Sequence, residues 1–233
     1  MNRWILNDLP WHVDLDDAMK RLRIPEDDAD DFVSMFHTIV RKIHPVFYFG
    51  RETVESNDGH RVVIGGQTFV SRVLAVNLKN VTDVYPYVVT SGREAYEYAR
   101  SIDDEFIEFW AHQVCEMALT SFRVDALEAV KQQTGFQNLS SMNPGSIASW
   151  PIDQQRPLFD LLGSVYENTG VELTPSYLMV PVKSGSGILF PTEKHFANCM
   201  LCPRDDCPNR RAPFDPNKFA AEYGDLPAIA DAS

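Results

Sequence analysis

Apolar positions along this chain recur first at the helical period, then at the strand period, then at the helical period again. Residues from about 15 to 43 read as two short helices divided by Ile24-Pro25. The second, PEDDADDFVSMFHTIVRKIH, opens on Pro and acids and closes on Arg41, Lys42 and His44, the polarity a helix dipole favours. Phe32, Met35, Phe36, Ile39, Val40 and Ile43 form its apolar stripe. The period then shortens. PVFYFGRETV, RVVIGGQTF and SRVLAVNL read as strands, with Gly65-Gly66 as a hairpin turn. DVYPYVVTSG reads as a further strand running into a helix near Arg93, through a Thr90-Ser91-Gly92 connection.

The longest helix is predicted from about Asp103 to Lys131, with Phe106, Trp110, Val114, Met117, Ala118, Phe122, Leu127 and Val130 on its buried side. His112 and Glu116 lie four apart and share a face of it. The first half of TGFQNLSSMNPGSIASWPIDQQRPLFDLLGSVYENTGVELT carries Asn, Ser, Pro and Gly with no apolar period and reads as loop. A helix follows, opened by Pro151 and Asp153 and closed near Gly170, with Leu158, Phe159, Leu161, Leu162 and Val165 as its core residues. SYLMVPVKSGSGILFP reads as two strands around a Ser/Gly bend, and the tail after Pro213 as a surface drape. This order predicts an α+β fold, with helices packed on a mixed, largely antiparallel sheet. The 233 residues are ample for one core. Within a single domain, 1–45 form an N-terminal helical segment, 46–196 the core, and 197–233 a Cys-rich loop and tail.

Charge narrows the function. A net charge of −12 and a pI near 4.9 suit no phosphate backbone, so nucleic acid is excluded as a partner. No apolar run reaches the length of a membrane span. The N-terminus lacks a small-residue cleavage site, and the expected compartment is the cytoplasm.

Three of the four cysteines fall in one short segment as Cys199-x2-Cys202-x4-Cys207. Such spacing lets thiolates grip one ion from a tight turn, and His195, four residues upstream, or distant Cys115 could complete a tetrahedron. Zinc and an iron–sulfur cluster both fit that set, as does a loop of reduced thiols or a disulfide. Arg204, Arg210 and Arg211 make the segment locally basic, able to depress a thiol pKa or meet an acidic partner. Cys115 itself reads as a buried free thiol within a helix.

The segment from Asn143 to Phe196 resembles the activation domain of cobalamin-dependent methionine synthase, and the resemblance extends more weakly back to about Gly50. NPGSIASWP, LFDLL leading to NTGVELTPSYLMVP, and KSGSGILF appear in the family's order, with VVTSG upstream before the long helix. The resemblance implies reductive reactivation of a corrinoid held by a partner, either methionine synthase or another corrinoid-binding protein. An electron-donor protein and S-adenosylmethionine are then the co-reactants, and the chain's contribution is to position the methyl group. Where the family has a cofactor-loop Arg this sequence has Ser141, and where it has a following Tyr this sequence has Ser146. His195 falls, on a looser alignment, at a cofactor-side Tyr. Ser cannot replace the charge-assisted carboxylate contact of Arg. The resemblance places the pocket at Ser141, Pro144, Gly145, Ser146, Lys183, Ser184 and Ser186, with Lys183 as a substitute cation, and it assigns no catalytic residue. Two functions follow. One is a methyl-transfer-linked reactivating enzyme, with an iron–sulfur centre at the cysteines. The other is a free-standing, non-catalytic module that binds a corrinoid protein or small molecule, with a structural zinc loop.

Overall fold

The structure, a computed structural model, describes residues 2–193, 196–204, 206–207 and 210–224. In chain order, the strand β1 (Asn2–Leu6) precedes the helices α1 (Leu15–Leu22) and α2 (Ala29–Ile39). Then come β2 (Val46–Asn57), β3 (Arg61–Ile64), β4 (Gln67–Val70), α3 (Arg72–Asn77) and β5 (Asp83–Thr90). α4 (Arg93–Arg100), α5 (Glu105–Thr134), β6 (Leu139–Met142), α6 (Gln155–Leu162) and α7 (Val165–Thr169) follow. The short hairpin β7 (Glu172–Leu173) and β8 (Met179–Val180), β9 (Ser184–Pro191) and α8 (Pro216–Tyr223) complete the order. Among the described residues the strands form a seven-stranded sheet in the order β4-β3-β2-β5-β9-β6, with β1 added along β2, and every strand pair is antiparallel. The fold is α+β, as the element order predicts.

Strand periodicity divides the sheet's two faces. Phe47, Phe49, Tyr85, Tyr87, Val89 and Leu189 point to one side, where Leu119, Phe122, Ala126 and Val130 of α5 cover them. Tyr48 and Val88 point to the other, against Leu162, Val165 and Val171. The pairing of β2 with β3 shifts register between Val54 and Ser56, and a bulge there bends the strand so that β3 and β4 curl over the second face. They enclose a core of Ile64, Phe69, Leu74, Trp150, Leu158, Ile188, Phe190 and Leu201. Arg3 of β1 ties the sheet to α6: it donates to the carbonyls of Leu161 (2.7 Å) and Leu162 (2.9 Å) and pairs with buried Glu52 at 2.6 Å.

The long helix serves two cores in succession. Its start is capped by Asp104, whose carboxylate accepts from the amides of Phe106 and Ile107, and Gly135 ends it at φ 77°. Trp110, Ala111, Val114, Cys115 and Ala118 pack with α1, α2 and α4, while the later turns lie on the sheet. Phe106, predicted to be buried, is 73% exposed, because it sits in the first turn, before the packed stripe begins at Ile107 and Trp110. Cys115 is buried as predicted, and desolvation pushes its thiol up to about 12.

Several segments depart from the sequence reading. The N-terminal segment, read as helical, also contributes β1 to the sheet, and the single helix read from Pro151 to Gly170 breaks into α6 and α7 at Gly163 and Ser164, which take φ 62° and 46°. SRVLAVNL carries the helix α3 rather than a strand, because the Ser71 hydroxyl caps the amide of Leu74 at 3.1 Å and overrides the β-branched run. Leu139 to Met142, predicted as loop, is β6, paired with β9. Its Ser140 and Ser141 are buried, so it lacks the apolar alternation of a strand. The SGSG stretch is not a bend but the first half of β9. The tail folds back through α8, whose Tyr223 is buried and donates to Asn77 Oδ1 at 3.1 Å.

Gly187 shows why β9 carries glycine. A Cβ there would lie 2.4 Å from the Met142 carbonyl and 2.5 Å from the Asn143 side-chain nitrogen. Backbone cannot yield as a flexible side chain can, so the close approach of β9 to the end of β6 requires glycine. Gly187→Ala is expected to cost about 2 kcal/mol of unfolding free energy, the scale of overpacking in a tight core. Urea denaturation checks this; a loss within 0.5 kcal/mol, the range of an ordinary surface change, would contradict it.

Candidate functional site

The loop from Asn143 to Trp150 leaves β6 and closes on itself. Gly145 donates its amide to the Trp150 carbonyl at 2.7 Å, Ser146 donates to Asn143 at 3.2 Å, and Trp150 donates to Ile147 at 3.1 Å. Gly145 takes φ 79°, which lets the turn form without strain. Trp150 is fully buried against Phe69 and anchors the far end. The near end hangs on Asn143, whose amide donates to the Tyr87 hydroxyl (2.8 Å) and the Ser186 carbonyl (2.6 Å) and accepts from Asn198 (3.4 Å).

Beside this loop lies a cavity of about 420 Å³. Gly145, Ser146, Ile147, Ala148, Pro151 and Ile152 contribute to its lining from the loop side, and Leu201, Cys202 and Pro203 from the cysteine segment. Two features that stood apart in the sequence, the Pro-Gly loop and the cysteine cluster, therefore meet at one cavity. No lining residue carries a charge, and the lining is mostly apolar. Five buried polar atoms lack a hydrogen-bond partner among the described residues: Ser149 Oγ, Trp150 Nε1 and Asn198 Oδ1, whose residues stand near the lining in sequence without forming part of it, and His112 Nδ1 and Arg123 Nε elsewhere.

The other predicted pocket residues go elsewhere. Ser141 is buried in β6, opposite Leu189 and bridged to Ala197, so the place of the family's Arg is inside the sheet. Pro144 is buried and does not line the cavity. Ser186 is buried and donates to Gln155 Oε1 at 2.8 Å, and Ser184 donates to Thr90 at 2.9 Å. Lys183 lies five residues along the chain from Ile188, the partner of Met142. At a strand rise of 3.3 Å that is roughly 16 Å from the end of β6. Its ammonium faces Glu116 at 3.5 Å and is no substitute cation for the cavity.

The cysteine segment is organised by an arginine. Arg210 donates to the carbonyls of Cys199 (3.1 Å), Ala212 (3.1 Å), Cys202 (3.2 Å) and Arg204, which gathers the loop around one guanidinium. Cys199 and Cys202 bound a single turn of 3₁₀ helix, Asn198–Leu201, with Cys202 donating to the Cys199 carbonyl at 3.3 Å. Burial disfavours the Cys199 thiolate. The amides of Arg211 and Ala212 and the Arg211 charge outweigh burial and hold the thiol below the usual cysteine range. Among the described residues, which leave out His195 of the predicted metal set, no three His, Cys, Asp or Glu side chains lie where they could hold an ion. Cys199 Sγ instead accepts from the Arg211 amide at 3.4 Å and Cys202 lines the cavity, while His195 lies outside the described residues.

A second polar cluster surrounds His112. Its Nε2 faces Glu108 at 3.5 Å, Glu108 pairs with Arg100 at 2.5 Å, and Glu116 turns to Lys183. His112 and Glu116 therefore engage different partners rather than each other. Desolvation lowers the His112 pKa, with Glu108 opposing. The amides of Ser91 and Gly92 nearby are taken by the Lys183 carbonyl and the Thr90 hydroxyl, so the turn is a connection.

No protein-family model matches this chain, and no curated protein is significantly similar to it. Solved structures do match, among them the MetH reactivation domain bound to AdoHcy. That likeness has a TM-score of 0.52 at 15% sequence identity and covers 76% of this chain and 71% of the other. At that identity the likeness is one of fold. No helix among the described residues is long and apolar enough to cross a membrane.

Two outcomes are expected. Arg210→Ala leaves its four carbonyls without their charged donor and should speed amide hydrogen exchange across 199–204 about tenfold or more, with core strands unchanged. Arg210→Lys, lacking the planar fork, should not restore protection. For His112, the unfolded chain binds a proton that the folded, desolvated imidazole refuses. Unfolding therefore takes up protons, and stability falls as pH drops below 6.5, the ordinary value. Stability measured against pH should lose that slope in His112→Leu; an unchanged slope would contradict the assignment.

Proposed function

We propose that this chain is a reactivation-type module that binds an S-adenosyl ligand at the Asn143–Trp150 cavity and presents it to a corrinoid-carrying partner. The observation that carries this reading is the coincidence of the cavity with the Pro-Gly loop, in a fold shared with a domain solved with AdoHcy. S-adenosylmethionine would supply a methyl group to the reduced corrinoid, and an electron-donor protein would supply the electron. What the chain's own residues supply is position. The Gly145 turn fixes the loop, Ile147, Ile152 and Leu201 offer an apolar surface to the ligand, and the Ser146 side chain stands among them as a polar group.

The uncharged lining shapes the specificity. With Ser141 inside the sheet and Lys183 paired to Glu116, neither provides an ion pair for an amino-acid carboxylate at the cavity. Binding then rests on the nucleoside and thioether part of the ligand. S-adenosylhomocysteine and 5′-methylthioadenosine, which differ by the amino-acid end, should bind within about threefold of one another, since a charge-assisted carboxylate contact would separate them by more than tenfold.

Isothermal titration calorimetry tests this. Ala148 is exposed at the cavity, so Ala148→Trp fills it without disturbing the core. The expected result is binding by the wild type and a loss of at least about tenfold in affinity in Ala148→Trp with the same melting temperature. No heat with either ligand at millimolar concentration, or equal affinity in Ala148→Trp, would overturn the proposal.

A further inference from the structure

We infer that Cys199 and Cys202 form a redox-active dithiol that exchanges with disulfides and, by changing the wall of the adjoining cavity, regulates what that cavity binds. The geometry begins with the turn. Cys199 opens and Cys202 closes one 3₁₀ turn, joined by the 3.3 Å bond between their backbones. At about 2.0 Å rise per residue and three residues per turn, positions i and i+3 eclipse at roughly 6 Å between Cα atoms. A disulfide spans that separation. Both cysteines are free and half-buried, so a small disulfide can reach them.

The surroundings favour attack by one of the two. Cys199 Sγ accepts the Arg211 amide at 3.4 Å, which favours its thiolate. Arg210 holds the carbonyls of both cysteines and keeps the turn formed whichever way the sulfurs rotate. Cys202 lies on the cavity wall with Leu201 and Pro203, so a bond made to its sulfur is made at the wall of the cavity.

The exchange balances as follows. The Cys199 thiolate attacks one sulfur of a low-molecular-weight disulfide and breaks its S–S bond; the departing thiolate takes a proton from water. Cys202 gives its proton to water, attacks Cys199 Sγ as the thiolate, forms the intramolecular disulfide and expels the second small thiolate, which takes a proton from water. Two electrons pass from the protein dithiol to the external disulfide, which leaves as two thiols. The reverse reaction, with two thiols as reductant, reopens the pair.

The coupling to the cavity rests on the ligand reading proposed above, whereas the dithiol chemistry does not. The experiment equilibrates the full chain in mixtures of reduced and oxidised glutathione, quenches with an alkylating agent and maps the cysteines by mass spectrometry. The expected products are a Cys199–Cys202 disulfide in the wild type and in Cys207→Ser, and a glutathione adduct trapped on Cys199 in Cys202→Ser. A disulfide that requires Cys207, an adduct trapped on Cys202 in Cys199→Ser while none forms on Cys199 in Cys202→Ser, or thiols protected by bound zinc or iron as purified would overturn the dithiol. Calorimetry with S-adenosylhomocysteine on the reduced and oxidised forms then reads the coupling. An affinity change of about threefold or more is expected, and equal affinity would overturn the regulation. A disulfide that forms while the reduced protein binds nothing would leave the dithiol standing and remove both the ligand reading and the regulation built on it.

Discussion

Everything at the candidate site depends on one side-chain amide. Asn143 sits where β6 ends, and it bonds at once to Tyr87 on β5, to Ser186 on β9 and to Asn198 beside the cysteines. Three pieces of chain far apart in sequence are held by its two polar atoms. The arrangement exists only because residue 187 has no Cβ: any other side chain would enter the space of the Met142 carbonyl and the Asn143 amide. A glycine in the middle of a strand is a local cost, since it packs nothing and loses the most backbone freedom. Here that cost is the condition for bringing the loop against the sheet.

From that clasp the rest of the site follows by packing. Trp150 is driven into the core by its size and pins the loop's far end, leaving the short Gly145–Ala148 segment arched over solvent. The cysteine segment is brought beside it because Phe196 and Leu201 join the same buried cluster and Phe196 donates its amide to Ser140 Oγ at 2.9 Å. Arg210 then closes that segment through carbonyl groups. The result is a cavity lined by apolar residues with Cys202 in its wall and Cys199 one turn away, in a chain whose net charge is strongly negative.

The large elements were legible in the sequence, because long periodic stripes and helix ends carry their own physics. The α5 start near Asp103, the Gly65-Gly66 hairpin and the α4 start near Arg93 all follow from local chemistry. Elements whose logic is tertiary were not legible. β6 exposes almost no alternation because its serines are buried, and the β9 glycines resemble a turn until the close approach of Met142 is known. α3 shows that a single capping hydroxyl can outweigh a β-branched run. At the site, the Pro-Gly loop was legible as a motif. The burial of Ser141 and the pairing of Lys183 with Glu116 depend on contacts distant in sequence. The cysteine spacing was visible too, and with it a basic patch able to lower a thiol pKa or meet an acidic partner, but nothing local shows which of the three arginines turns inward to gather the loop.

The central claim is that the Asn143–Trp150 loop and the cysteine segment form one ligand site. Its most direct measurement is an amide-resolved nuclear magnetic resonance titration with S-adenosylhomocysteine. The account predicts shifts confined to residues 145–152 and 199–203, saturating together along one binding curve. Shifts centred instead on the Lys183–Glu116–His112 cluster, or no shifts at all, would contradict it.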